Sequence, residues 1–105
     1  MERLGRIDML LDLLESEPAD LFLNYALGVE YASALNFTEA EEQYKKTIAL
    51  DENYVAAYYQ LGKLFEAQFK NDIALTQYKT GLEIARRKKD KSIHEFEEAI
   101  FMLED

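Results

Sequence analysis

Apolar residues recur every three to four positions in six stretches of this chain, which predicts helices. The first spans about 2–16, with Leu4, Ile7, Leu10, Leu11 and Leu14 on one stripe. Met9 and Leu13 fall off that stripe and are expected to cover a flank of the neighbouring helix or, as the lesser alternative, to face a partner. The next two helices are expected at about 19–35 and 38–51, turning at Asn36-Phe37. Two more follow at about 54–69 and 72–88, and a last one ends near Leu103. Its buried stripe is Ile93, Phe96, Ile100 and Leu103. No alternation of period two competes with this pattern, so the chain reads as all-α.

The stretch from Tyr58 to Leu82 repeats one that starts at Asn24, at a shift of 34 residues. Tyr25/Tyr59, Leu27/Leu61, Gly28/Gly62, Ala40/Ala74, Gln43/Gln77, Tyr44/Tyr78 and Lys45/Lys79 are identical across the shift. Tyr31/Phe65, Ile48/Leu82 and Leu50/Ile84 keep their character. A period of this length containing two helices marks a helical repeat array, whose function is a binding surface rather than a catalytic cleft. In each unit Leu27-Gly28-Tyr31 or Leu61-Gly62-Phe65 faces inward from the first helix. From the second come Ala40, Tyr44, Thr47 and Ile48, or Ala74, Tyr78, Gly81, Leu82 and Ala85. A glycine inside a helix costs about 1 kcal/mol against alanine; its recurrence at Gly28 and Gly62 predicts a close helix–helix approach there.

Start signals are plentiful. Pro18 is placed to open the second helix, where its missing N–H costs nothing. Thr38–Glu41 and Ser92–Glu95 have the spacing of capping boxes, and Asp51-Glu52-Asn53 offers a cap to the fourth helix. Asn71-Asp72 starts the fifth, which ends in Arg86, Arg87, Lys88 and Lys89, cations suited to the carbonyl end of a helix. We read that basic run as a solvated helix terminus.

Composition narrows the chemistry. The chain has 105 residues, enough for one domain. It has no cysteine, which excludes disulfides, thiolate metal sites and thiol catalysis. A net charge of −9 disfavours nucleic acid and anionic membrane as partners. Asp8, Asp12 and Glu15 interrupt the apolar run near the start, so neither a signal peptide nor a membrane span is expected, and the default location is cytoplasmic. His94 is the only histidine and is expected to be exposed and solvated. No second zinc ligand is spaced for it, no phosphate-cradling loop exists, and no nucleophile is paired with a base. No enzyme activity, cofactor or metal is expected.

These motifs resemble the tetratricopeptide repeat (TPR) family. Its pattern of aromatic, Leu-Gly and aromatic, then Ala, aromatic and small, is met by Tyr58, Leu61-Gly62, Phe65, Ala74, Tyr78 and Gly81. Leu27-Gly28, Tyr31, Ala40, Tyr44 and Thr47 meet it in the first unit. The resemblance implies a right-handed superhelical helix-turn-helix array forming one domain over 1–105. An opening helix (2–16) precedes repeats 21–54 and 55–88, and a capping helix (90–104) closes the chain. There are departures. Asn24 replaces the large aromatic that opens a unit, leaving that corner less filled, and Glu52 replaces the proline between repeats. The turn glycine is replaced by Leu35-Asn36 and Phe69-Lys70; Asn36 tolerates the left-handed conformation better than Lys70, so the second turn is expected to be shaped differently.

In this family the first helices of the repeats line a concave groove that binds a peptide or helix of a partner protein. Helical counting places Phe22, Tyr25 and Val29 there from one repeat, and Tyr59, Gln60, Lys63 and Glu66 from the next. Tyr25 and Tyr59 suit recognition, since tyrosine gives large contact area at low entropy cost; equally, they suit covering the inner surface and packing on flanking helices. Tyr25 and Val29 stand where a lysine and an asparagine would grip an acidic tail, and Ala56 adds no charge, so a carboxylate clamp is not expected. The alternative function is structural: a homodimer assembled through the end helices, with the off-stripe Phe101 as its contact. Two repeats fall short of the about three usually needed for stability, which favours self-association.

Overall fold

Six helices carry almost all of the backbone that the computed structural model describes, residues 5–104. They are α1 (Gly5–Ser16), α2 (Leu21–Ser33), α3 (Phe37–Leu50), α4 (Val55–Ala67), α5 (Asn71–Lys88) and α6 (Ile93–Leu103). Leu4 and the start of the expected opening helix lie outside the described residues. Contacts group the chain into two compact units, one up to Glu52 and one from Asn53.

In the first unit, α2 and α3 meet where the ring of Tyr44 lies against Gly28. A Cβ at Gly28 would come within 2.6 Å of Tyr44 Cε1, so only glycine admits this approach. Leu27, Ala40, Tyr44 and Thr47 are buried around it, and the Thr47 hydroxyl satisfies itself on the Gln43 carbonyl at 2.8 Å. Ile48 is only half-buried. Asn24 does not leave a gap: it is fully buried, and its Nδ2 donates to the carbonyls of Pro18 (3.0 Å) and Asp20 (2.8 Å). A polar clasp thus holds the loop where the second unit uses the bulk of Tyr58. Pro18 lies in that loop rather than in the first helical turn; Asp20 is the N-cap, its Oδ1 accepting from Leu23 N at 2.8 Å. Helix α1 rests on α2 through half-buried Ile7, Leu10 and Leu14, with an Arg6–Glu30 ion pair at 3.3 Å. Leu11 belongs to its more exposed side, together with Met9 and Leu13, which are 61% and 51% exposed.

In the second unit, α4 and α5 meet in the same way, the Tyr78 ring filling the space over Gly62. Lys88 Nζ donates to the Asn53 carbonyl at 2.9 Å, tying the end of α5 to the start of α4. Helix α6 returns along α5, with ion pairs Arg86–Glu97 (3.0 Å) and Lys79–Glu104 (2.9 Å). The fully buried Phe96 packs on Gly81, where a Cβ would come within 2.5 Å of its Cε1. Ile84 is buried, whereas Leu82 is half-buried. Two antiparallel steps leave α4 and α6 running the same way. That sets up the site.

The expected caps are built differently. Helices α3 and α4 start after Asn36 and Tyr54, without a side-chain capping bond, so the Thr38–Glu41 box is not formed. Before α6 the backbone N–H of Ser92 donates to Asp90 Oδ1 at 2.8 Å, and Ser92 makes no side-chain capping bond. Hydrogen bonding from Ser92, with Lys88 and Lys91 nearby, holds the Asp90 carboxyl below its ordinary range.

The left-handed residues of the two inner turns are Leu35 (φ 63°) and Phe69 (φ 62°), the first of each Leu35-Asn36 and Phe69-Lys70 pair, and the two turns have the same shape rather than different ones. The reason is the hydrogen-bond pattern that ends α2 and α4. Asn36 N donates to Tyr31 O and Leu35 N to Ala32 O, and the same pair recurs as Lys70 N to Phe65 O and Phe69 N to Glu66 O. This closure requires positive φ at the residue that donates the shorter-range bond. Phe69 is 91% exposed, so its side chain contributes almost no burial to offset the strain. Phe69→Gly should therefore raise stability by ~0.5–1 kcal/mol, the left-handed penalty less glycine's greater unfolded-state entropy. A urea unfolding midpoint that falls instead would show that the Phe69 side chain holds the turn.

Candidate functional site

Three of the four groove residues expected on α4 come together around one cleft of about 390 Å³ within the second unit. Tyr59, Lys63 and Glu66 form one wall, at successive turns of α4. Glu95, Glu98, Ala99 and Met102 form the other, at the same spacing on α6. Gln60 is half-buried and outside this lining. The four α6 residues were missed in the sequence because only the buried stripe of that helix was followed. Their own spacing of three, four and seven marks a second face.

Tyr59 brings an aromatic ring to the cleft, backed by two buried ones. Tyr59 is half-buried, its ring 5.6 Å from Tyr78 and 5.5 Å edge-on from Phe96. Tyr59 thus packs on its neighbours and also lines the cleft. Lys63 Nζ stands 5.7 Å from the centre of the Tyr59 ring, within cation–π range. The Tyr78 hydroxyl donates to Glu66 Oε1 at 2.7 Å and so fixes that carboxylate at the rim. Burial, reinforced by that bond to Glu66, raises the Tyr78 phenol above its ordinary range. Among the described residues no group of three acidic or histidine side chains could hold a metal ion.

In the first unit, Phe22, Tyr25 and Val29 lie on α2. Phe22 is 66% exposed, while Tyr25 and Val29 are half-buried. Tyr25 tilts on Tyr44 with ring centres 6.0 Å apart, as Tyr59 does on Tyr78. Here the repeat is imperfect, since the counterpart of Glu66 is Ala32. Tyr44 Oη is consequently buried without an acceptor, and burial, with Tyr25 nearby, pushes its phenol well up. On α6, Phe101 points away from the cleft and is 77% exposed; His94 beside it is almost fully exposed, with Nδ1 3.4 Å from Glu97. No helix among the described residues is long and apolar enough to cross a membrane.

Paired antiparallel helices that repeat every 34 residues, each pair locked by an aromatic ring over a glycine, define a helical repeat protein. Two solved structures of a tetratricopeptide repeat domain protein from Salinibacter ruber match this chain. The crystal structure is 32% identical with a TM-score of 0.74, covering 81% of this chain and 96% of that one. The solution structure is 34% identical with a TM-score of 0.77, covering 83% and 89%. The chain belongs to the tetratricopeptide repeat family, whose fold generally serves as a protein–protein interaction module. The crystal structure of MamA is 29% identical, with a TM-score of 0.76 over 79% of this chain and 48% of MamA. A Bordetella parapertussis protein shares the fold at 23% identity, with a TM-score of 0.83 over 94% of this chain and 87% of its own. No family model matches the chain, and no curated protein matches it.

The unequal environments of the two tyrosines make a direct prediction. Tyr78→Phe removes a satisfied bond to a carboxylate and should cost ~1–2 kcal/mol. Tyr44→Phe removes an orphaned hydroxyl and should leave stability unchanged or raise it. Equal losses in chemical unfolding would contradict the assignment.

Proposed function

We propose that this chain is a non-catalytic adaptor that captures a peptide or helix of a partner protein along the first helices of its repeats. The observation that carries the reading is the α4–α6 cleft, where Tyr59, Lys63 and Glu66 meet an equally spaced stripe on α6. A two-turn wall on each side suits a short segment, with the Tyr59 ring for contact area and charged side chains for orientation. Phe22, Tyr25 and Val29 present the corresponding face of α2 in the first unit.

A second reading, self-assembly into a homodimer, draws on the adjacent exposed Phe101 and Met102 of α6, which are 77% and 70% exposed. The solution mass separates the two. The adaptor reading predicts a monomer that retains a partner from native extract and loses it, at least ten-fold, in a folded, charge-neutral Ala99→Gln/Met102→Gln variant. Equal retention by that variant would remove the cleft from recognition. A dimer that Phe101→Asp dissociates would establish the second reading.

A further inference from the structure

The chemistry of the cleft specifies its occupant more narrowly than the adaptor reading, on which this inference rests. Three carboxylates, Glu66, Glu95 and Glu98, face one ammonium, Lys63. Lys63 is engaged over the Tyr59 ring and Glu66 by the Tyr78 hydroxyl. Glu95 and Glu98 are different. Both are exposed, three residues apart on one helix face, and neither makes a hydrogen bond or ion pair among the described residues. Like charges at this spacing repel each other. A cation placed between them relieves that repulsion and turns it into binding energy.

Beside the carboxylates lie Tyr59, Ala99 and Met102, an apolar strip fit to take the aliphatic stem of a lysine or arginine and its apolar neighbours. The α4 wall from Tyr59 to Glu66 is about 10 Å long at the helical rise, room for two helical turns of a ligand. The chain's net charge of −9 steers cationic segments toward it from solution. We infer that the α4–α6 cleft binds a short basic segment of a partner protein, an arginine or lysine between Glu95, Glu98 and Glu66 with an apolar residue on Ala99 and Met102. An acidic tail would meet the wrong sign of charge.

The test uses a random 15-residue peptide library displayed on phage, selected against the folded full chain and against a Glu95→Gln/Glu98→Gln variant. Both substitutions are at exposed sites and keep the side-chain shape. The inference predicts that wild type enriches peptides with arginine or lysine next to apolar residues. Their synthetic copies should bind at least ten-fold more weakly to the variant, and more weakly as salt rises. Peptides that bind through the cleft, shown by loss with the charge-neutral Ala99→Gln/Met102→Gln variant, but carry no basic preference would overturn the charge inference and leave the adaptor reading standing. No enrichment at all would overturn both. A wild-type dimer that becomes monomeric in Glu95→Gln/Glu98→Gln would make the occupant the Arg86–Lys89 run of a second copy, and so overturn the partner-segment inference.

Discussion

Everything in the two units depends on an aromatic ring resting on a glycine. Tyr44 lies on Gly28, Tyr78 on Gly62 and Phe96 on Gly81. Each contact fixes the distance and roll of one helix against its neighbour, because a ring against backbone has no methyl group to ride over. Glycine within a helix costs ~1 kcal/mol in propensity, and the close packing gained by a fully buried ring offsets that cost. Small residues at Ala40, Ala74, Ala57 and Ala85, all fully buried, allow the same close approach around these rings.

The site follows from the same contacts. Because Tyr78 sits over Gly62 while Phe96 sits over Gly81, both rings converge on Tyr59 and hold it at the base of the cleft. The two antiparallel steps bring α6 beside α4 in the same direction, and their stripes line one cleft. The cleft is therefore built from the faces left over once the aromatic–glycine contacts have been made. Tyr59 is shared between packing and lining, so its removal would disturb both. The exposed Lys63, Glu95, Glu98 and Met102 can change with little effect on the core.

Most of the helical pattern was legible because apolar spacing and a 34-residue repeat constrain each other. Gly28 and Gly62 announced close approach through their repetition alone. The turns were located at the right pairs but not to the residue, since propensity favours asparagine for left-handed backbone, whereas hydrogen bonding to Tyr31 and Phe65 decides which residue adopts it. Asn24 looked like a defect because a missing aromatic is visible in a sequence and a buried clasp on Pro18 and Asp20 is not. The α4 wall of the cleft could be found by helical counting. Its α6 wall could not, because a capping helix carries no repeat partner with which to compare it.

The most direct test of this account is a double-mutant cycle on unfolding free energy with Gly62→Ala and Tyr78→Leu. Gly62→Ala alone should destabilise by ~1–2 kcal/mol, overpacking against the ring outweighing the helix propensity gained. In the Tyr78→Leu background that loss should vanish or reverse, giving a coupling of at least ~1 kcal/mol. Additivity within ~0.5 kcal/mol would mean that the ring does not set the helix distance, and the account would fail at its base.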